Sequence, residues 1–223
     1  MATFNAKNLT LNDVHYLLKL QEQLNNDSFT TCLSLEPVTE EEQQEIAQIR
    51  NDFRHYVSMG KVYEGLVKAL TTFPLLRLTG FYRYPIQISI EEYITDINIS
   101  DEDTIITGRF DILAVNKATA TTDLTFWILV IEAKNSAIEV RQGLPQLLTY
   151  AFKRLEQQAS VWGLVTNGLQ YLFVHLRQGN PPTYQLMPEL HLMDSERSIQ
   201  LLQVLKAICK LQNEFSLKVE PGY

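Results

Sequence analysis

The chain has 223 residues, of which 45% are apolar and 20% charged, and a formal net charge of −7. This composition supplies a hydrophobic core for one domain and excludes a disordered polar chain. The longest apolar run, 126–131, is far shorter than the roughly 20 residues of a membrane helix. Two cysteines, Cys32 and Cys209, are too few for a disulfide scaffold or a cysteine-ligated zinc site. Because the N-terminus also lacks a secretory leader pattern, we expect a cytoplasmic protein with no membrane partner.

The charges are unevenly distributed along the sequence. Six acids and no base lie between Glu91 and Asp103, whereas five bases and two acids lie between Lys134 and Arg177. An acidic chain can therefore still present a locally basic face to nucleic acid. An ordinary solvated surface explains the same distribution equally well.

The first third of the chain is predicted to be helical. Apolar residues at helical spacing predict a first helix within 11–24. A capping box at 39–42 predicts the start of a second helix, which ends at Gly60. A third helix is predicted over 61–73, with Pro74 as the residue that stops it.

After Pro74 the pattern changes from helical to strand-like. Strands are predicted over 84–94, 104–115 and 125–133, and the last of these is apolar enough for a central strand covered on both faces. The remaining elements are a helix from Pro145 to about Gln157, a hairpin (160–166 and 169–176) with a type I′ turn at Asn167-Gly168, a strand or extended tail over 184–192, and a closing helix over 199–211. This order predicts an α/β fold with a mixed central sheet flanked by helices.

Several common active sites are excluded. The sequence has no Gly-rich phosphate loop, no dinucleotide-binding fingerprint and no Gly-x-Ser-x-Gly nucleophile motif. The four histidines are scattered, without partners at metal-ligand spacing, and we interpret them as surface or structural residues.

Two carboxylates interrupt segments that are otherwise apolar strands. Glu132 and Lys134 follow the run 126–131 and project to the same side, since a strand alternates its faces. Asp111 lies in a second apolar segment. If the two strands are neighbours, Asp111 and Glu132 repel each other unless one is protonated or a divalent cation such as Mg²⁺ binds both. Lys134 would then stabilise an attacking water or the charge that grows on a phosphate.

The same residues also have a purely structural interpretation. Glu132 and Lys134 could form an ion pair at the end of a strand, and Asp111 could pair with Arg109 on its own strand. Each of these pieces alone is common in unrelated proteins.

The predicted helix that follows adds a third piece of the pattern. Gln146 and Tyr150 are four residues apart and therefore share one helix face. The complete pattern is Asp111, Glu132-Ala133-Lys134 and Gln146-Leu147-Leu148-Thr149-Tyr150. This ordered set resembles the PD-(D/E)XK nuclease superfamily. More narrowly, it is similar to the N-terminal nuclease domain of type I restriction enzyme R subunits and to the RecB-type nucleases with a Gln-x-x-x-Tyr motif. The stretch 108–111 resembles the acid-bearing strand of that family, and the resemblance covers roughly residues 61–177.

The resemblance implies a restriction-endonuclease-like core and a magnesium site. Asp111 and Glu132 would be ligands of Mg²⁺ or Mn²⁺, with the backbone carbonyl of Ala133 as a third ligand. Lys134 would be the catalytic lysine.

The resemblance also implies roles for residues on two helices. Gln146 and Tyr150 would orient the active site or contact the DNA backbone. Glu64 matches an acid that many members place on the preceding helix to hold the metal or its waters. Glu64 and Lys68 are also spaced as a surface ion pair, which is the structural alternative.

The leading hypothesis is a metal-dependent, restriction-type endonuclease that hydrolyses DNA. Residues 61–223 would form the nuclease domain, and residues 1–60 would be a helical extension packed on it or a homodimer surface. Type I R subunits continue into ATP-driven motor domains, of which this sequence has no motif. A second hypothesis is therefore a catalytically inactive module of the same fold that binds nucleic acid or a restriction-system partner subunit. A third, weaker hypothesis is a structural protein that binds no nucleic acid, in which the carboxylates only pair with Arg109 and Lys134.

Overall fold

The strands form two β-sheets with helices packed against them in the computed structural model, which describes residues 2–24, 28–99, 104–117 and 126–216. The helices are α1 (Leu11–Leu18), α2 (Phe29–Cys32), α3 (Glu40–Ser58), α4 (Glu64–Val67), α5 (Phe73–Leu78), α6 (Leu144–Leu155) and α7 (Ser195–Ser216). The strands are β1 (Ala2–Asn5), β2 (Gln21–Glu22), β3 (Ile86–Ile90), β4 (Tyr93–Ile99), β5 (Thr104–Arg109), β6 (Ile112–Asn116), β7 (Phe126–Ala133), β8 (Ser160–Thr166), β9 (Gln170–Arg177), β10 (Thr183–Leu186) and β11 (Leu190–His191). Among these helices, none is both long enough and apolar enough to cross a membrane.

The larger sheet is mixed, as the sequence predicts. Its strand order is β2-β10-β9-β8-β7-β6-β3, and β11 pairs with β9. The pairs β7–β8 and β2–β10 are parallel and the other pairs are antiparallel. A smaller sheet has the order β1-β5-β4. The prediction of a mixed α/β fold with helices on the faces of a central sheet is therefore confirmed.

Hydrophobic residues cover both faces of the larger sheet. One cluster joins α3, α5 and α7 to the sheet face that carries Ile112 and Ile131. A second cluster joins α1 and α6 to the opposite face, which carries Leu113 and Val130. The apolar character of β6 and β7 follows from this arrangement, because residues on both sides of these central strands are buried.

The strands predicted over 84–94 and 104–115 are each divided in two. The pairs β3–β6 and β4–β5 belong to different sheets, although they form one antiparallel ribbon. The ribbon bends where the Glu91 N–H donates to the Asp111 carbonyl (3.0 Å) and the Phe110 N–H donates to the Glu92 carbonyl (3.3 Å). Glu91 has a left-handed backbone with φ of 54°. The apolar alternation resumes after the bend, so alternation alone does not reveal it.

The third predicted helix does not end at Pro74. After α4 the chain continues through a π-helical turn, Lys68–Thr72, and directly into α5, where Pro74 lies in the first turn. In the π turn the Phe73 N–H donates to the Lys68 carbonyl, five residues back. This wider turn lets the chain accommodate a proline that lacks the N–H of a regular helix.

The first 60 residues contain strands as well as helices. The predicted capping box is confirmed, since Thr39 and Glu42 bond each other's backbone at the start of α3. However, β1 pairs with β5 and β2 pairs with β10, so this segment contributes to both sheets. Residues 100–103 of the acidic run and Thr125 of the third predicted strand lie outside the described residues.

The predicted hairpin is present, but its turn is of another type. The strands β8 and β9 pair in register up to Thr166 and Tyr171, which leaves the four residues 167–170 between them. Of these four only Gly168 has a positive φ, 86°. A type I′ turn needs a positive φ at both central residues, so the type I′ prediction at Asn167-Gly168 is wrong.

The backbone of Gly168 gives a direct test of this turn. A Cβ added there would lie 2.4 Å from the Phe53 ring, and the φ of +86° is strained for any side chain. We expect Gly168→Ala to lower the free energy of unfolding by about 1–3 kcal/mol in urea denaturation. The matched control is Gly65→Ala in α4, where nothing lies within 4 Å of the added Cβ. The control should be neutral or stabilising by up to about 1 kcal/mol. Equal stability of the two variants would contradict the turn assignment.

Candidate active site

The two carboxylates singled out in the sequence lie next to each other. The strands β6 and β7 are antiparallel neighbours, and the pair Ile112–Ile131 places Asp111 and Glu132 at the next position of the ladder. The Ala133 N–H donates to Asp111 Oδ2 at 2.8 Å, so the Asp111 side chain reaches the end of β7. Asp111 is 9% exposed and Glu132 is 2% exposed. The expectation that these two strands bring the acids together is confirmed.

Glu132 is a buried acid with an incomplete set of partners. Its Oε1 accepts from Lys134 Nζ at 2.6 Å. Its Oε2 is buried and has no hydrogen-bond partner among the described residues. Burial and the neighbouring Asp111 carboxylate raise the pKa of Glu132 to about 8, against the opposing effect of Lys134. A cation at this place would relieve the cost of the buried charge.

Lys134 belongs to a chain of hydrogen bonds that ends on α6. Besides Glu132, its ammonium donates to Gln146 Oε1 at 3.2 Å. The Gln146 amide nitrogen donates to the Tyr150 hydroxyl at 2.9 Å. The orientation of the amide follows from Lys134, because an ammonium can only donate and the amide oxygen must face it. Gln146 and Tyr150 are both buried. The prediction that Gln146 and Tyr150 share one helix face is thus confirmed, and the hydrogen-bond chain links both to Lys134.

Tyr150 is fixed by the end of β5. Its hydroxyl accepts the Arg109 backbone N–H at 3.2 Å. A Cβ added to Gly108 would lie 2.6 Å from a carbon of the Tyr150 ring, so only glycine permits this close packing. Burial, and next the charge of Glu132, raises the pKa of Tyr150 to about 12, and its hydroxyl therefore stays protonated at neutral pH. This contact explains why residue 108 is a glycine.

Lys68 is a site residue that sequence reasoning missed. It is 6% exposed, although the sequence indicated only a surface pair with Glu64. Its ammonium lies 3.4 Å from Glu64, 3.2 Å from Glu91 and 3.5 Å from Asp111. Burial opposes its positive charge, but these three carboxylates outweigh burial and raise the pKa of Lys68. The π-helical turn that begins at Lys68 carries it into the site, and no local sequence signal marks that turn.

Asp111 forms an ion pair, but its partner is not Arg109 as the structural interpretation of the sequence predicted. Arg109 contacts Glu91 at 3.4 Å, and the cation at Asp111 is Lys68. The predicted pair of Glu132 and Lys134 is present.

The candidate metal ligands are two carboxylates and a backbone carbonyl. In the described ranges of the chain, no three or more His, Cys, Asp or Glu side chains are grouped so that they could hold a metal ion. Glu64 is 44% exposed at its side chain and pairs with Lys68. Asp111, Glu132 and the Ala133 carbonyl nevertheless suit Mg²⁺, which commonly uses one or two carboxylates and keeps several waters. The orphaned Glu132 Oε2 is the atom whose environment fits such an ion best.

No protein-family model matches the chain, and no curated protein matches it significantly.

The raised pKa of Glu132 predicts how stability depends on pH. Between about pH 4.5 and about pH 8 the unfolded chain ionises Glu132 while the folded protein keeps it protonated. The unfolded state then binds fewer protons, so the free energy of unfolding falls as pH rises through this window. Glu132→Gln is neutral at every pH and should remove this decline, which is on the order of 4 kcal/mol. Urea denaturation in EDTA across the window measures it. The same slope in both proteins would contradict a protonated Glu132.

Lys68 is expected to be essential to the metal-free fold. Lys68→Met leaves Asp111, Glu64 and Glu91 without their common cation, and we expect a loss of about 2–4 kcal/mol in the free energy of unfolding. The matched control is Arg77→Met, which breaks an exposed pair with Glu45. The control should change stability by less than about 0.5 kcal/mol. Similar losses in both variants would show that Lys68 is an ordinary surface cation.

Proposed function

We propose that the protein is a metal-dependent phosphodiesterase that hydrolyses DNA, with a restriction-endonuclease-like core formed by the larger sheet. The observation that carries this proposal is the buried Glu132 carboxylate, with one orphaned oxygen, beside Asp111. Two buried acids at adjacent strand ends are costly for a purely structural protein. A cation bound by both carboxylates would offset their charge, and a hard divalent ion that prefers oxygen ligands suits this position.

Asp111, Glu132 and the backbone carbonyl of Ala133 would hold Mg²⁺ or Mn²⁺. When bound, the ion supplies a Lewis acid beside the phosphate and an activated water. Because the pKa of Glu132 is about 8 without metal, ion binding must release a proton from this residue near neutral pH. Glu64, half-exposed on the neighbouring helix and paired with Lys68, would hold the waters of the ion through hydrogen bonds.

Lys134 is the residue we assign to the reacting phosphate. Its side chain is one-fifth exposed, whereas its partner Glu132 is buried. In this reaction water would attack the phosphorus and lose a proton, the bond to the leaving oxygen would break, and that oxygen would take up a proton, so that protons balance. The Lys134 ammonium would stabilise the negative charge that grows during this step. Gln146 and Tyr150 would fix the position of the ammonium through their hydrogen bonds.

One observation favours the alternative of a catalytically inactive module that binds nucleic acid or a restriction-system partner subunit. Lys68 contacts Asp111 and Lys134 contacts Glu132, so each acid already has an ammonium neighbour. Titration calorimetry with Mn²⁺ separates the two functions. The nuclease binds Mn²⁺ and loses binding in Asp111→Asn, whereas the inactive module binds no Mn²⁺.

Cleavage of plasmid and single-stranded DNA tests the activity directly. With Mg²⁺ or Mn²⁺ present, we expect Asp111→Asn and Lys134→Met to reduce the cleavage rate by about 100-fold or more. The matched control is Asp52→Asn, since Asp52 lies on the exposed side of α3 and bonds only Gln48 among the contacts described. The control should cleave at the wild-type rate. Equal cleavage by all four proteins would indicate a contaminating nuclease, and no cleavage by any would contradict the proposal.

A further inference from the structure

A recess with aromatic and basic walls opens next to the candidate site, and its function is not explained by the metal ligands. It has a volume of about 330 Å³ and lies among β3, β4, β6, β7 and α6. From its lining we propose that the recess holds an unpaired base of a nucleic acid strand. This inference rests on the proposed function for the identity of the ligand. The lining residues that carry it are Glu92, Tyr93, Phe110, Lys117, Trp127 and Lys153.

The aromatic side chains form a fixed wall and an exposed rim. Phe110 is buried and packs edge-to-face on Trp127, with ring centroids 6.1 Å apart. Trp127 is held further by Gln158, whose amide bonds its backbone N–H and carbonyl, both at 3.0 Å. Tyr93 is 82% exposed at the rim. A large aromatic residue that is left in solvent beside a rigid aromatic wall suits a planar ligand that stacks.

The charges of the recess complement a phosphate backbone. Lys117 and Lys153 line it with Glu92 as the one acid. Tyr93 also lines a second recess, which includes Lys7 and Arg109. Together the two recesses have four basic residues and one acidic residue in their walls, and one of the basic residues, Arg109, also pairs with Glu91 at 3.4 Å. A base in the first recess would therefore have cations on both sides for the phosphates that flank it.

The two recesses border the candidate active site. Phe110 precedes Asp111 in the chain, and the Arg109 backbone bonds the Tyr150 hydroxyl. Gly108 lines the second recess and packs against Tyr150. The walls of both recesses therefore include residues that adjoin Asp111 in the chain or contact Tyr150. A base of a duplex enters a recess only after it is unpaired and unstacked, which costs free energy, whereas a single strand does not pay the unpairing cost, so a single-stranded segment is the favoured ligand.

Oligonucleotide binding without cleavage tests the recess. The probes are fluorescent twelve-residue oligothymidylate, the uridylate analogue and a duplex, titrated into Lys134→Met protein in EDTA. We expect Tyr93→Ala and Lys117→Ala, each added to that background, to weaken single-strand binding about tenfold. Tyr16→Ala is the matched control, because Tyr16 is 68% exposed outside both recesses. Comparing the DNA and RNA probes shows which of the two nucleic acids the recess prefers.

Tryptophan fluorescence supplies a second readout that does not depend on affinity. Trp162 is buried and stacked on His175, with ring centroids 4.4 Å apart, so a bound base should quench mainly Trp127. Quenching by the single strand that disappears in Trp127→Phe, with an unchanged circular dichroism spectrum, supports the recess. Any of three results would overturn the proposal: Tyr93→Ala and Lys117→Ala bind the single strand as tightly as the parent protein, the single strand causes no quenching, or the duplex binds as tightly as the single strand.

These experiments distinguish an error in the recess proposal from an error in the proposed function. Binding and quenching in EDTA, with no metal-dependent cleavage by the wild-type protein, would support the recess and contradict the nuclease. Metal-dependent cleavage, with no effect of Tyr93→Ala or Lys117→Ala on binding, would support the nuclease and contradict the recess.

Discussion

The repulsion between Asp111 and Glu132 is the constraint on which the rest of the site depends. Both carboxylates are nearly excluded from water, and Glu132 has an oxygen for which the described residues provide no donor. Lys68 supplies a positive charge on the side of Asp111, and Lys134 supplies one on the side of Glu132. Protonation of Glu132 relieves the remaining conflict without metal, and ion binding would relieve it with metal.

The fold brings these groups together through irregular features rather than regular ones. The ribbon of β3–β6 and β4–β5 bends at Glu91, so that β6 begins beside the last residues of β7. The π-helical turn places Lys68 over this bend. Gly108 lets Tyr150 approach closely enough to bond the backbone of β5. Each irregular feature has a stability cost, which is consistent with a function for the residues that it positions.

The sequence predicted the regular part of this arrangement well. The apolar run before Glu132 identified a central strand, the capping box located α3, and the four-residue spacing of Gln146 and Tyr150 identified one helix face. These predictions succeed because burial periodicity and capping are local properties. The bend at Glu91, the helix that continues past Pro74 and the buried Lys68 were not predicted. Each of them is determined by tertiary contacts, which a propensity or a spacing does not encode. The first recess was missed for the same reason, since Tyr93, Lys117 and Trp127 come from three separate segments.

The most direct test of a metal site at Asp111 and Glu132 is the location of a divalent ion in the crystal. Crystals soaked in Mn²⁺ should give an anomalous difference peak about 2.2 Å from a carboxylate oxygen of Asp111 and from Glu132 Oε2, with the Ala133 carbonyl as a further ligand. The peak should vanish in crystals of Asp111→Asn. Saturating Mn²⁺ with no peak between the two acids, and with the ammonium of Lys68 still against Asp111, would contradict metal binding by Asp111 and Glu132.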